Sequence, residues 1–167
     1  DWKQRGFALW GDSFTAPNAK DTNFQVPQRV GGRPRFSEPL GGLLALWGAL
    51  YEDDVKAVYT HGGLAGFHDV LSGPYVYVPH DTIVPGVLPK GDLVDLAAAL
   101  APRPLHLNGL VDGLNRTLPL KAARARCLPA VQTYQTSRPG RLAITVAPAN
   151  AARWMLEAWK GTVKNSP

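Results

Sequence analysis

The chain has 167 residues, of which 45% are hydrophobic and 19% charged, and it contains a single cysteine, Cys127. This composition supplies enough apolar material for one folded domain, and it excludes a disordered chain or a scaffold held by internal disulfides. No apolar run approaches the roughly 18 residues that a membrane-spanning helix needs, and no secretory signal segment opens the chain. Because the chain begins at Asp1 and its only methionine is Met155, we expect it to be processed or to be part of a longer protein.

Four short apolar segments without polar alternation predict strands that are buried on both faces. They are Gly6–Trp10, Val55–Tyr59, Leu105–Val111 and Leu142–Val146. Helical patterns lie between or after them, at Gly42–Tyr51, Asp92–Leu100, residues 119–133 and Ala151–Lys160. This alternation indicates an α/β fold with a mostly parallel sheet of about four strands and with helices on both faces.

Residues 16–41 are rich in Pro, Asn, Gly and Arg, and they predict a long loop inserted into a single domain over residues 1–167. Long loops inside compact domains are commonly functional. The first strand, Gly6–Trp10, has the composition of a central strand although it begins the sheet. We therefore expect a second polypeptide or a symmetry mate to cover its outer edge.

Polar turns follow three of the predicted strands, at Asp12-Ser13, His61 and Asp112. In open α/β sheets, sites form outside the carboxyl ends of the strands, so we expect these turns to lie at one edge. The turn that begins Gly11-Asp12-Ser13 keeps the first glycine of the G-x-S-x-G pattern and has Thr in place of the last. That pattern places a nucleophilic serine on a sharp turn and predicts Ser13 as a nucleophile. The alternative is that Ser13 only shapes the turn.

A longer set of motifs resembles the C-terminal half of bacterial acetyl xylan esterase-like α/β hydrolases. The motifs are Pro85-Gly86, Gly91-Asp92, Asp95-Leu96-Ala97, Ala101-Pro102-Arg103-Pro104 and Gly109-Leu110-Val111-Asp112. The resemblance implies a partial α/β-hydrolase fold in which Ser13 is the nucleophile, Asp112 the acid of the triad and the Phe14 N–H an oxyanion donor. It also implies a serine carboxylesterase that acts on small esters or acetylated sugars, without a cofactor or a metal.

The base of this implied triad has no counterpart in the chain. In the family a His follows the last strand, where this sequence has Ala147-Pro148-Ala149-Asn150, and no His follows His106. His61 and His80 are the candidates to replace it, and the alternative is that each hydrogen-bonds loop backbone. One oxyanion donor of the family also comes from an upstream segment. We therefore expect weak or absent esterase activity, and the alternative function is a catalytically inactive module in a larger assembly.

The sequence gives less support for other kinds of site, such as a carboxylate-binding, nucleic-acid, zinc or phosphate site. Arg116 lies beside the predicted acid, where its guanidinium could bind a substrate carboxylate or pair with Asp112. The basic residues of the C-terminal third are spread over two helices and two turns, which favours a solvated surface over a nucleic-acid site. Gly11–Phe14 resembles the first block of GDSL-type lipases, but their C-terminal D-x-x-H is missing, as are zinc motifs and glycine-rich phosphate loops.

Overall fold

The computed structural model of this chain describes residues 6–26 and 31–163. Within these residues it forms four strands, β1 (Phe7–Asp12), β2 (Val55–His61), β3 (Leu105–Asn108) and β4 (Leu142–Thr145). Neighbouring strands all run parallel, in the order β1-β2-β3-β4. The predicted α/β fold and parallel sheet are therefore confirmed, whereas residues 27–30 of the predicted loop insertion lie outside the described residues.

Five α-helices flank the sheet in these residues: α1 (Leu40–Tyr51), α2 (Leu93–Ala99), α3 (Leu120–Arg126), α4 (Leu128–Ser137) and α5 (Ala151–Val163). Helices α1 to α4 form one layer, whose apolar side chains pack together against the sheet. Helix α5 packs against β1 and β2 on the other face, where Trp154 contacts the Tyr59 ring. The predicted helices on both faces are thus confirmed. None of the described helices is long and apolar enough to cross a membrane.

The structure follows some of the predicted helices more closely than others. The helix predicted at Asp92–Leu100 is observed as α2, and Asp92 caps it in a reciprocal capping box with Asp95. The single helix predicted over residues 119–133 is wrong, because the structure has two helices there that meet at Cys127. Pro129 lies in the first turn of α4, a position where the missing N–H of proline has no helical acceptor to lose.

The first strand and the first helix cross at two glycines. A Cβ added to Gly11 would lie 2.1 Å from the carbonyl oxygen of Gly41, and one added to Gly41 would lie 2.4 Å from that of Asp12. Such an approach of two backbones requires residues without a side chain. The crossing places the start of α1 against the end of β1, although residues 13–39 separate them in sequence.

The long connection between β1 and α1 is fixed to the body of the domain. Asn18 donates from Nδ2 to the carbonyls of Arg35 and Leu114, and its Oδ1 accepts the N–H of Arg35. Asn115 donates to the carbonyls of Ala16 and Arg35. These bonds join both branches of the connection to the loop that follows β3.

Candidate functional site

The carboxyl end of the sheet brings three polar side chains together on the face that α5 covers. The register pairs Asp12 of β1 with His61 of β2, and His61 with Asn108 of β3. Residues paired in register on parallel strands project to the same face of the sheet. Trp10 and Tyr59, two positions earlier on their strands, project to this face as well, and their rings meet edge to face.

The central feature of this site is a hydrogen bond between the side chains of Asp12 and His61. Oδ1 of Asp12 lies 2.7 Å from Nδ1 of His61, and the two side chains are 38% and 45% exposed. A carboxylate accepts only, so the imidazole donates Nδ1–H and presents a lone pair at Nε2 when it is neutral. No hydrogen bond of the described residues uses Nε2.

An open cleft of about 360 Å³ borders this pair. Its walls come from the carboxyl ends of the strands and from the loop that enters α5. The lining residues are Trp10, Asp12, Tyr59, His61, Asn108, Pro148, Ala149, Asn150, Ala151 and Ala152. A concave site at this edge of a parallel sheet is where open α/β proteins bind their ligands.

A chain of buried polar groups lies beneath the cleft. The Tyr59 hydroxyl donates to Oδ1 of Asn108 at 3.2 Å, and Nδ2 of Asn108 donates to Oγ1 of Thr145 at 2.6 Å. Thr145 also contacts Nε2 of His106 at 2.8 Å. Burial, and secondly the negative charge of Asp12, raise the pKa of Tyr59, whereas burial lowers the pKa of His106. Both groups are therefore neutral at neutral pH and serve as fixed dipoles.

Ser13 lies directly beyond the end of β1 and is hydrogen-bonded to the backbone of His61. Its N–H donates to the carbonyl of His61 at 2.9 Å, and its hydroxyl makes a long contact of 3.5 Å with the carbonyl of Thr15. No hydrogen bond of residues 6–26 or 31–163 joins this hydroxyl to an imidazole. The turn also differs from a nucleophile elbow, because α1 begins only at Leu40. Phe14, whose N–H is the implied oxyanion donor, is 96% exposed.

The carboxylate of Asp112 is hydrogen-bonded within its own turn. Its carboxylate accepts Nε and Nη2 of Arg116 at 3.0 and 2.9 Å, together with the backbone N–H groups of Leu114 and Arg116. Of the two alternatives for Arg116, the structure shows the pairing with Asp112. In the described part of the chain, no imidazole is hydrogen-bonded to this carboxylate, so the structure does not assemble the triad of Ser13, a His and Asp112.

His68 and His80 differ from His61 in their surroundings. His80 is exposed on a short 3-10 turn, His80–Thr82, and its imidazole has no hydrogen bond to the described residues. Nδ1 of His68 lies 3.1 Å from Oδ2 of Asp92, and this side chain is 67% exposed. Burial acts to raise the pKa of Asp92, but N–H donors, among them those of Phe67 and Leu93, outweigh it and lower that pKa. Neither histidine lines the cleft.

Sequence reasoning placed His61 at the correct edge but gave Asp12 and Asn108 no role. The signal that finds them is position, because Asp12, His61 and Asn108 are each the last residue of a strand. No group of three or more His, Cys, Asp or Glu that could hold a metal ion occurs within residues 6–26 and 31–163. Comparisons of the chain with protein-family models, with curated proteins and with solved structures found no match.

Proposed function

We propose that this chain hydrolyses small carboxylic esters by general-base catalysis, with His61 as the base and Asp12 as the group that orients it. The observation that carries the proposal is the 2.7 Å contact between Asp12 and His61 at the edge of the cleft. A base whose second ring nitrogen is held by a carboxylate is the arrangement that esterases and proteases use. A hydrolase relation to acetyl xylan esterase-like proteins, and acetylated sugars as substrates, are part of the same proposal.

The chemistry follows from the tautomer that Asp12 favours. Nε2 of His61 takes a proton from a water molecule as the water oxygen forms a bond to the ester carbonyl carbon. Asp12 stabilises the imidazolium that results. The proton then passes from Nε2 to the leaving alkoxide oxygen as the ester C–O bond breaks, which yields an acid and an alcohol and regenerates neutral His61.

The first turn of α5 supplies donors for the negative carbonyl oxygen of the intermediate. The first N–H groups of a helix have no acceptor inside the helix. Oδ1 of Asn150 accepts the N–H of Arg153. Ala151 and Ala152 line the cleft, and no hydrogen bond of the described residues uses the N–H groups of these two alanines. The Phe14 N–H, which the family resemblance implies, stays a second prediction for this role.

The role of His61 is tested by hydrolysis of para-nitrophenyl acetate by the wild-type chain and by His61→Gln. Loss of a general base costs about 10²–10⁴-fold, so we expect at least a hundredfold lower rate for the variant. His68→Gln is the matched control, because it removes a carboxylate-paired imidazole outside the cleft, and His80→Gln removes an exposed one.

The assay also decides how Ser13 takes part. If water is the nucleophile, Ser13→Ala retains hydrolysis and no burst of nitrophenolate precedes the steady state. If Ser13 is the nucleophile, as the resemblance implies, Ser13→Ala loses activity as His61→Gln does, and the wild type forms an acyl-enzyme. A rate that is equal in the wild type and in His61→Gln would refute the proposed function in both forms.

A second candidate function is a catalytically inactive module in a larger assembly. Two observations favour it: Arg116 holds the carboxylate of Asp112, and β1 pairs with β2 alone among the described strands. Trp10 on this open strand is 55% exposed. Unpaired edge strands favour association with another chain. Absence of His61-dependent hydrolysis together with a dimer or larger species in sedimentation would support this candidate, and a monomer would count against it.

A further inference from the structure

We propose that Asn108 is a positioning residue that fixes the loop between β4 and α5 as one wall of the His61 cleft. This inference rests on the proposed function, since it concerns the same cleft. Asn108 is the last residue of β3, and the register places it between His61 on β2 and Thr145 on β4. It is fully buried, with 0% of its surface exposed.

The hydrogen bonds of Asn108 fix the orientation of its carboxamide. The carbonyl of Ala147 can only accept, so the atom that lies 2.9 Å from it is Nδ2. The second N–H of that amide donates to Thr145, and Oδ1 accepts the Tyr59 hydroxyl. Both donors and the oxygen are therefore used, and the buried side chain has one stable orientation.

The bond to Ala147 is the one that reaches the cleft. Ala147 directly precedes Pro148, Ala149 and Asn150, which line the cleft. Over residues 146–149, this is the one hydrogen bond that joins the loop to another described element. Proline has no N–H to add another. The backbone of Asn108 also accepts the N–H of Gly62, directly after His61, so one residue holds both sides of the cleft.

The test is Asn108→Asp, which keeps the shape of the side chain and removes both of its N–H donors, the one to Thr145 and the one that reaches the loop at Ala147. We expect KM for para-nitrophenyl acetate to rise about tenfold, the equivalent of one hydrogen bond of about 1.4 kcal/mol, with kcat changed much less. Amide hydrogen exchange at Arg153 and Trp154, whose N–H groups bond to Asn150, should become faster. If Asn108→Asp does not fold, Asn108→Ser, which introduces no charge, takes its place.

Tyr134→Phe is the matched control for lost stability. It removes a buried hydroxyl that donates to the carbonyl of Arg103 on the opposite face of the sheet, so KM and exchange at α5 should not change. Unchanged KM and unchanged exchange in both Asn108 variants would overturn the positioning role. Exchange does not depend on activity. Faster exchange in a chain without His61-dependent hydrolysis would therefore support the role of Asn108 and refute only the proposed function.

Discussion

Gly11→Ala is expected to lower the free energy of unfolding by at least about 3 kcal/mol, the upper range for overpacking a tight interior. The added methyl group would lie 2.1 Å from the carbonyl oxygen of Gly41, and the nearest atoms are backbone, which cannot rotate away. The end of β1 and the start of α1 would have to separate, and Asp12 would move with them. Urea unfolding followed by circular dichroism measures the loss.

Gly73→Ala is the control for this prediction, because a Cβ at Gly73 meets nothing within 4 Å. Its unfolding free energy should change by no more than about 0.5 kcal/mol. An unfolding midpoint for Gly11→Ala equal to that of the wild type would show that the two backbones do not cross where the structure has them.

Arg126→Met is expected to destabilise the fold at neutral pH by about 2–3 kcal/mol. Nη2 of Arg126 lies 2.7 Å from Oδ1 of Asp69, and the side chain of Asp69 is only 2% exposed. Removing one partner of a buried pair leaves an uncompensated charge, which costs about 3–5 kcal/mol, and the half-exposed position of Arg126 reduces that figure. Arg124→Met serves as the control, because Arg124 is an exposed residue of the same helix, two residues before Arg126, and no ion pair of the described residues uses it.

The loss in Arg126→Met should shrink in acid. Burial raises the pKa of Asp69, and the charge of Arg126 opposes that effect, so the pKa rises further in the variant. Asp69 of the folded state then binds a proton at a higher pH than Asp69 of the unfolded chain, for which the ordinary pKa is 3.8. Stability of the variant therefore increases as the pH falls through the folded pKa towards that value. A deficit that is constant from neutral to acid pH would contradict the role of Asp69.

The fold could be predicted because all four strands come from short apolar segments. The expectation that each strand is buried on both faces holds for β2 and β3 but is wrong for β1 and β4, whose residues are mostly half-exposed or exposed. All four strands differ from their predicted bounds at one end or both, and two of these differences have local reasons. The predicted strand Leu105–Val111 ends at Asn108, since Gly109 adopts a φ of 62° and turns the chain out of the sheet. The strand Gly6–Trp10 continues to Asp12, because Gly11 and Asp12 pair with Thr60 and His61. The backbone conformation of a glycine, and strand pairing that continues past an apolar segment, cannot be predicted from the hydrophobicity of the sequence.

The sequence predicted the edge of the sheet where the site lies, but it did not predict which side chains pair there. Which residue faces His61 depends on an irregularity between Phe7 and Ala8, where the register with β2 shifts by one residue. Without that shift the partner of Asp12 would be Thr60, whose side chain lies on the other face, because a slip of one residue exchanges the faces of a strand. The capture of Asp112 by Arg116 likewise depends on a turn in which Asn115 adopts a φ of 56°.

The most direct test of the dyad is a double-mutant cycle on ester hydrolysis with Asp12→Asn, His61→Gln and the double variant. If Asp12 acts through the imidazole, Asp12→Asn lowers the wild-type rate by at least about tenfold but has no effect once His61 is replaced. The double variant should therefore hydrolyse para-nitrophenyl acetate at the rate of His61→Gln. Rate losses that multiply in the double variant would show that the two residues act independently and would contradict the account.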